Sequence, residues 1–253
     1  GGYNRYKFLK YNRIYTSLIS PTFNALLFKG FDTFFSESSD NRGYNYRVKK
    51  FFDLIDYSES PAYNALIMGF KENQRKKLLQ MDWQNDIGVQ SIKESGRTVQ
   101  TLNDIREFDM KYCLEGDLLV KVDRTSMLNS LECRSPFLNP KIEELTYGLP
   151  EKYLIQGKNK KRILKDTFAD KFPQGFLESP KQGFGIPIGE LLRTVLREEM
   201  ERFVNNSTLD EQGIFNCEYV TELYSEHLRR KRDHSFKLWG FYVFQLWYFE
   251  IYK

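Results

Sequence analysis

The sequence predicts a mainly helical fold with little or no β-sheet. Apolar side chains recur at three- and four-residue intervals over several stretches, which is the period of an amphipathic helix. The chain contains 21 Phe and 16 Tyr with moderate glycine and proline, a composition that favours densely packed helices over a disordered chain. No stretch shows several β-branched runs separated by turns, which is the pattern expected of a sheet.

The composition is that of a globular protein of 253 residues, long enough to bury a substantial core in one or two domains. Its 38 basic and 34 acidic residues give a net charge of +4, which is too mild to predict nucleic-acid binding. The three cysteines are widely spaced and are interpreted as reduced thiols of a cytoplasmic protein. Neither they nor the two histidines have the spacing of a zinc site, so no metal ligands are predicted.

The first part of the chain alternates helical stretches with polar breaks. Helices are predicted within residues 7–35 and 44–80, and the polar segment 36–42 between them is predicted to be an exposed loop. Residues 82–100 are polar and irregular. Residues 102–112 are predicted to form a further helix that leads into the central stretch.

The central stretch, residues 114–139, combines charged side chains with a helical apolar pattern. A helix is predicted from Asp117, which can cap its first turn, to Leu131. Asp123 shares a helical face with Leu119 and Met127. A carboxylate on an apolar face is costly unless it is paired, so Asp123 is predicted to be buried beside a basic side chain.

The residues after this helix are predicted to be extended. Pro136 disfavours helix at the residue before it, and alternate side chains of an extended segment point the same way, so Glu132 and Arg134 should face one side. Asn139 and Pro140 are typical of a cap and a first helical residue. A helix, an extended link and a new helix would present Glu132 and Arg134 to a cleft.

Two later segments carry cations in contexts that allow a functional or a purely structural interpretation. The basic run GKNKKRILK, residues 157–165, is either a solvated helix start or a binding site for an anion. The segment SPKQGFGIPIGE, residues 179–190, surrounds Lys181 with three glycines and two prolines. Its pattern matches neither of the common phosphate-binding loops. This segment is either a surface loop or a loop that holds an ammonium group against a phosphate or an oxyanion.

The C-terminal region is predicted to consist of amphipathic helices at residues 191–203 and 219–228 and a strongly apolar last helix at 236–252. A membrane span needs about 20 apolar residues. The last helix is interrupted by Lys237, Gln245 and Glu250. It is therefore predicted to be buried in the core, and no membrane partner is expected.

Three separated patterns resemble the synthetase domain of glutamine-hydrolysing asparagine synthetases. GDLLVKVDRTSMLNSLECRSPFLN is similar to that family's D-L-L-x-K-x-D-R-x-S-M followed by L-E-x-R-x-P-F-L-D. GKNKKRILK followed by SPKQGFGIPI is similar to G-K-x-x-K-x-x-L-R and P-K-x-G-F-x-x-P, and KRDHSFKLWGFYVFQLW resembles the aromatic C-terminal helix of bacterial members. The opening GGYNRY matches the end of G-x-G-x-D-E-x-F-G-G-Y, so the resemblance covers essentially the whole chain. Small departures are Asn139, where the family usually has Asp, and Gln245, where Glu is common.

The resemblance implies a fold and a place in a longer protein. The chain is expected to be a single helical unit, residues 1–253, that forms the helical C-terminal half of an adenine-nucleotide α-hydrolase-like (PP-loop) α/β synthetase domain. The family's S-G-G-x-D-S loop and the nucleophilic cysteine of its glutaminase do not occur in this sequence. The N-terminal glutaminase domain and the PP-loop sheet are therefore expected to lie outside it, and this piece alone is expected to be inactive. A homodimer is left open.

The resemblance also implies a reaction and its partners. The family activates the side-chain carboxylate of aspartate with ATP to give a β-aspartyl adenylate and pyrophosphate. Ammonia, delivered from glutamine by a separate domain, then attacks the acyl carbon. ATP and Mg²⁺ are expected in the complete enzyme, and tight binding of either by this piece is not expected.

The roles of individual residues follow from the same matches. Lys181 is predicted to be catalytic because cations must stabilise the charge on the α-phosphate during transfer. Glu132 is predicted to be catalytic by analogy with relatives in which this glutamate assists proton transfer, with an ion pair or substrate orientation as equal alternatives. Arg134, Lys161 and Gly183 are predicted to bind substrate or phosphate.

Asp123 and Arg124 are predicted to support the cleft from behind. Two other functions remain open at this point. One is an amide ligase of the same family that acts on another carboxylate. The other is a non-catalytic helical module that binds an anionic partner through residues 158–165.

Overall fold

The computed structural model describes residues 2–3, 5–34, 44–57, 69–81, 101–157, 159–179 and 186–253. These residues are mostly helical, as the sequence predicts. Within them, the sheet consists of two short antiparallel strands, β1 (Ile155–Gln156) and β2 (Asn159–Lys160).

The described helices are between 4 and 14 residues long. In order they are α1 (Arg5–Leu18), α2 (Pro21–Phe34), α3 (Tyr44–Leu54), α4 (Glu72–Leu78), α5 (Leu102–Phe108), α6 (Val120–Met127), α7 (Pro140–Tyr147), α8 (Glu151–Leu154), α9 (Arg162–Thr167), α10 (Ile188–Arg193), α11 (Arg197–Phe203), α12 (Asn206–Gln212), α13 (Cys217–Leu228) and α14 (Ser235–Trp247). Segments Asp109–Leu119 and Tyr248–Tyr252 are π-helical, and Pro136–Leu138, Ala169–Lys171 and Phe176–Glu178 are single 3₁₀ turns.

Side-chain caps fix where several helices begin. At α5 the Thr101 hydroxyl accepts a hydrogen bond from the Asp104 amide at 3.2 Å, and the Asp104 carboxylate accepts one from the Thr101 amide at 2.6 Å. At α7 the Asn139 side chain accepts from the Lys141 amide at 3.0 Å, and Pro140 is the first helical residue. Each of these caps satisfies a backbone donor that the helix leaves unpaired. The predicted start of α7 at Asn139-Pro140 is confirmed.

In the structure, the helix predicted over residues 117–131 begins and ends at other residues. It continues directly from the π-helical segment Asp109–Leu119 and, as α6, ends at Met127. Ser130 adopts a left-handed conformation with φ of +55°, and the Leu131 amide bonds back to the Ser126 carbonyl at 3.0 Å. A left-handed residue just past the last turn ends a helix, because the turn that it forms satisfies free carbonyl groups of the helix. The helix therefore ends before the apolar pattern does.

The described residues belong to two compact units. Unit 1 contains those within Gly1–Ile14 and Gly88–Gly183, and unit 2 contains those within Tyr15–Tyr57, Tyr63–Ile87 and Phe184–Lys253.

Unit 2 is built around a core in which α10–α14 meet α4. Phe215 packs edge-on against Phe241 and Phe244, with ring centroids 5.1 and 5.2 Å away. Burying a side chain of this size contributes roughly 1.5–3 kcal/mol. The core consists of Leu78, Leu192, Met200, Phe203, Val204, Leu209, Phe215, Val220, Leu223, Tyr224, Leu238, Phe241 and Tyr242.

One face of the C-terminal helix α14 lies in this core, so the predicted burial of the last helix is confirmed for that face only, and Phe236, Val243 and Trp247 are exposed. Leu238, Phe241 and Tyr242 are buried, and so is Gln245. The Gln245 amide exchanges two hydrogen bonds with that of Gln212, at 2.6 and 3.0 Å, which satisfies the polar group inside the core. Among the described helices, none is long and apolar enough to cross a membrane.

Unit 1 buries apolar side chains from the beginning of α1 and from α5. Phe8 and Leu9 are buried on α1, and Leu102 and Ile105 are buried on α5. The first residue of the π-helical segment is a buried aspartate whose carboxylate accepts a hydrogen bond from the Tyr6 hydroxyl. This bond links α1 to the helical run that leads to the predicted site.

Candidate active site

Two of the predicted site residues, Lys181 and Gly183, lie outside the described residues. The same is true of Lys158 in the basic run. The roles predicted for these three residues stay predictions, and the site is described from the remaining residues.

Glu132 and Arg134 form an ion pair on the extended link between α6 and α7. The Glu132 Oε1 atom lies 2.7 Å from Arg134 Nε and 2.5 Å from Nη2. This confirms that the two side chains face the same way. Their side chains are 67% and 86% exposed, so the pair contributes little to stability and remains accessible to a ligand.

The end of α7 is fixed to α5. Arg106 Nη2 donates to the Thr146 carbonyl at 2.9 Å, and the Tyr147 hydroxyl donates to Glu107 Oε2 at 3.3 Å. Burial lowers the pKa of Arg106 from its usual value, the expected direction for a cation partly removed from water. These bonds attach to α5 the end of the helix that follows the Glu132–Arg134 link.

Asp123 does not have the buried environment that its helical position predicts. Asp123 and Arg124 are both exposed, and within the described part of the chain neither forms an ion pair. Val122 and Met127 on α6 are 45% and 54% exposed. The prediction of a buried, paired Asp123 is wrong here, because a helical period groups side chains on one face but does not supply a second surface to cover that face.

Lys161 is held at a sharp turn between the β-hairpin and α9. Strand residues Ile155 and Lys160 are paired across the hairpin. Lys161 then adopts a left-handed conformation, with φ of +57° and ψ of +36°. Arg162, the first residue of α9, donates from Nη1 to the Lys152 carbonyl at 3.1 Å and so attaches α9 to α8.

The Lys161 side chain is exposed and lies against the backbone of Gly2. A Cβ atom built on Gly2 would be only 2.8 Å from Lys161 Cε. Among the residues that the structure describes, no acidic side chain pairs with the Lys161 ammonium group. The contact with Gly2 was not predicted; the signal in the sequence was the glycine pair in the opening GGYNRY.

The described residues form two parts of the predicted site. One is the Glu132–Arg134 pair, and the other is Lys161 against Gly2. Both belong to unit 1. Over the described ranges, no hydrogen bond or ion pair joins the two parts.

A second polar cluster, in unit 2, surrounds the fully buried His227. Its Nε2 atom lies 3.0 Å from the Gly189 carbonyl, and its Nδ1 atom lies 3.3 Å from both Arg193 Nη2 and the His234 amide nitrogen. Guanidinium groups and backbone N–H groups only donate, so Nδ1 accepts and the proton is on Nε2. Burial, followed by the charge of Arg193, lowers the pKa of His227 to about 4, so the ring is neutral at physiological pH.

Charged residues extend this cluster toward the surface. The Ser235 hydroxyl donates to Asp233, whose Oδ1 atom lies 3.7 Å from His227 Nδ1. His234 Nε2 lies 2.9 Å from Glu226 Oε2, and Lys231 pairs with the other Glu226 oxygen at 2.8 Å. The cluster joins α10 and α13 to the start of α14, so we interpret it as structural.

The described residues do not supply a metal site. Within the part of the chain that the structure covers, no group of three or more histidine, cysteine, aspartate or glutamate side chains could hold a metal ion.

Comparisons with known proteins agree with the motifs of this site. The model of the asparagine synthase family matches residues 1–248. Asparagine synthetase [glutamine-hydrolyzing] 1 of Bacillus subtilis is 27% identical over 183 residues, which are 71% of this chain and 28% of that protein. Putative glutamine-hydrolyzing asparagine synthetases of Mycobacterium bovis and Mycobacterium tuberculosis are 33% identical over 145 residues, 57% of this chain and 22% of theirs.

The chain thus spans between 22% and 28% of the length of these relatives. No solved structure matches it.

Proposed function

The chain belongs to the asparagine synthase family, and we propose that it forms one wall of the active site of an ATP-dependent asparagine synthetase. The observation that carries this proposal is the family match over residues 1–248, within which the Glu-x-Arg motif forms an exposed ion pair between two helices. The names of the relatives, which are asparagine synthetases, support the choice of reaction.

In the proposed reaction, an oxygen of the aspartate side-chain carboxylate attacks the α-phosphorus of ATP. The bond to the leaving pyrophosphate breaks, and β-aspartyl-AMP forms. Ammonia, released from glutamine elsewhere in the longer protein, then attacks the acyl carbon, loses a proton and expels AMP to leave asparagine. The first step gathers negative charge on the α-phosphate oxygens, and fixed cations stabilise that charge most effectively where water is excluded.

The proposal gives the cations of this chain separate tasks. Lys181 would contact the α-phosphate during transfer, in a loop that Gly183 allows to approach closely. Lys161 would lie beside a phosphate of ATP, which is supported by its exposed ammonium group. Arg134 would orient a carboxylate or phosphate through the planar fork of its guanidinium group, with Glu132 fixing its direction.

The first test is aspartate-dependent exchange of labelled pyrophosphate into ATP by the full-length protein that contains this chain, with magnesium present. Exchange that requires aspartate would support the proposal. Exchange with a different carboxylate, and none with aspartate, would make the protein an amide ligase for another acceptor. Binding of ATP without exchange on any carboxylate would favour an anion-binding module.

The proposed role of Lys181 leads to a specific prediction. Lys181→Ala should lower the exchange rate by about 10²–10³-fold, the cost of removing one donor that stabilises transition-state charge. The melting temperature should stay near that of the wild type. Lys171→Ala is a suitable control, because Lys171 pairs with Asp170 at 2.8 Å and both side chains are 67% exposed. Equal effects of the two substitutions on exchange would contradict the assignment of Lys181.

A further inference from the structure

We propose that Gly2 is a positioning residue for Lys161: by lacking a side chain, it lets the lysine stem cross its backbone and fixes where the ammonium group lies. This inference rests on the proposed function for the reaction that Lys161 serves. The contact itself is independent of that function and can be tested without it.

The first observation is the closeness of the two residues. A Cβ atom on Gly2 would lie 2.8 Å from Lys161 Cε and 3.9 Å from both Cδ and Cγ. The φ angle of Gly2 is outside the left-handed range, so any residue could adopt its backbone conformation. A side chain at this position would therefore conflict with the Lys161 stem and not with the backbone conformation.

The second observation is the backbone of Lys161. Its left-handed conformation costs a non-glycine residue roughly 1–2 kcal/mol. Lys161 directly follows Lys160, the last paired residue of the hairpin, and Gly157 in the turn of the hairpin has φ of +57°. The left-handed backbone at Lys161 sets the direction in which its side chain leaves the chain. The contact with Gly2 then limits the positions that the rest of the side chain can take.

The third observation is that the contact involves the carbon atom next to the charged nitrogen. Cε is bonded directly to the Nζ atom, and ordinary carbon contacts begin near 3.4 Å. A methyl group on Gly2 would therefore displace Cε, and Nζ with it. Because the end of a lysine side chain is flexible, this displacement should cost little stability. Misplacing a positioned group by about 1 Å can still lower a reaction rate by about 10²-fold.

The test compares Gly2→Ala with Gly148→Ala in the full-length protein. Gly148 is a matched control because it lies in unit 1, has φ of −83° and has nothing within 4 Å of the position that a Cβ atom would take. Gly2→Ala should slow aspartate-dependent pyrophosphate exchange by about tenfold or more. This is the factor that corresponds to the free energy of one hydrogen bond to a charged group. Both variants should keep the wild-type melting temperature. A loss of exchange that is accompanied by an equal loss of stability would overturn the proposal.

A double-mutant cycle tests whether Gly2 acts through Lys161. Lys161→Met removes the charge and keeps an unbranched stem. If Gly2 only positions the ammonium group, adding Gly2→Ala to Lys161→Met should cause no further loss of exchange. Additive losses would mean that Gly2 acts by another route, and the proposal would be wrong.

Chemical labelling separates this inference from the proposed function. Acetic anhydride labelling of Lys161, measured by mass spectrometry relative to Lys171, should change in Gly2→Ala and stay as in the wild type in Gly148→Ala. Unchanged labelling in Gly2→Ala would overturn the positioning role. Changed labelling in a protein that shows no aspartate-dependent exchange would keep the positioning role and overturn only the proposed reaction.

Discussion

Two aspartates of unit 1 show how the environment of a single residue decides what its charge does. Asp109 begins the π-helical segment, is 8% exposed and accepts a hydrogen bond from the Tyr6 hydroxyl. Asp123 lies on α6, which continues that segment, and is exposed. A buried carboxylate requires its partners, whereas an exposed one is solvated by water.

We expect Asp123→Ala to change the free energy of unfolding by no more than about 0.5 kcal/mol, because an exposed side chain without an ion pair contributes little. Asp109→Ala should destabilise the protein by about 1–3 kcal/mol, since it leaves the buried Tyr6 hydroxyl without its acceptor. Urea unfolding of the two variants measures both values. A large loss in Asp123→Ala would mean that its carboxylate is paired in solution.

At the scale of elements, the contact of α10 with α13 and α14 depends on the absence of a side chain at Gly189. A Cβ atom there would lie 2.5 Å from the Ser235 hydroxyl and 3.3 Å from His227 Cε1. Gly240, at an exposed position inside α14, has nothing within 4 Å of the same point. The two glycines therefore have opposite consequences for stability.

Gly189→Ala should destabilise unit 2 by about 1–3 kcal/mol, because the added methyl group overpacks a well-filled contact. Gly240→Ala should stabilise it by about 0.5–1 kcal/mol, because alanine loses less backbone entropy than glycine in a helix. Thermal unfolding of both variants provides the comparison. If the two substitutions shifted the melting temperature in the same direction, the packing described at Gly189 would be wrong.

At the scale of the whole molecule, the buried histidine cluster makes stability depend on pH. Burial is the main reason that the pKa of His227 falls to about 4 and that the pKa of His234 is also lowered. The unfolded chain binds a proton near pH 6.5, whereas the folded chain keeps His227 neutral until about pH 4. His227 therefore contributes stability above pH 6.5 that is lost as the pH falls toward 4.

We expect the protein to lose stability of the order of 3 kcal/mol from His227 alone between pH 6.5 and 4, from the size of the pKa difference. His227→Gln keeps a donor for the Gly189 carbonyl and an acceptor for Arg193 but cannot titrate. Its urea unfolding, followed by tryptophan fluorescence, should show a shallower dependence on pH over this window. An unchanged slope would show that other groups cause the acid sensitivity.

One part of the candidate site could be predicted from local patterns. The two-residue period of an extended segment placed Glu132 and Arg134 on one side, and they form an ion pair. The cap at Asn139 and the proline after it fixed where α7 begins. Such features depend on residues close together in the chain, so the sequence contains all the information that they need.

The sequence by itself determined the mainly helical class, the burial of one face of the last helix and the position of Glu132 and Arg134 on the same side of their segment. Only the tertiary structure decided that Asp123 is exposed, that Gly2 lies against Lys161 and that His227 is a neutral, buried ring beside Arg193. A periodic pattern specifies which side chains share a face, because it follows from backbone geometry. What covers a face, and which distant residue a side chain meets, depends on contacts between segments far apart in the chain, and no local pattern encodes them.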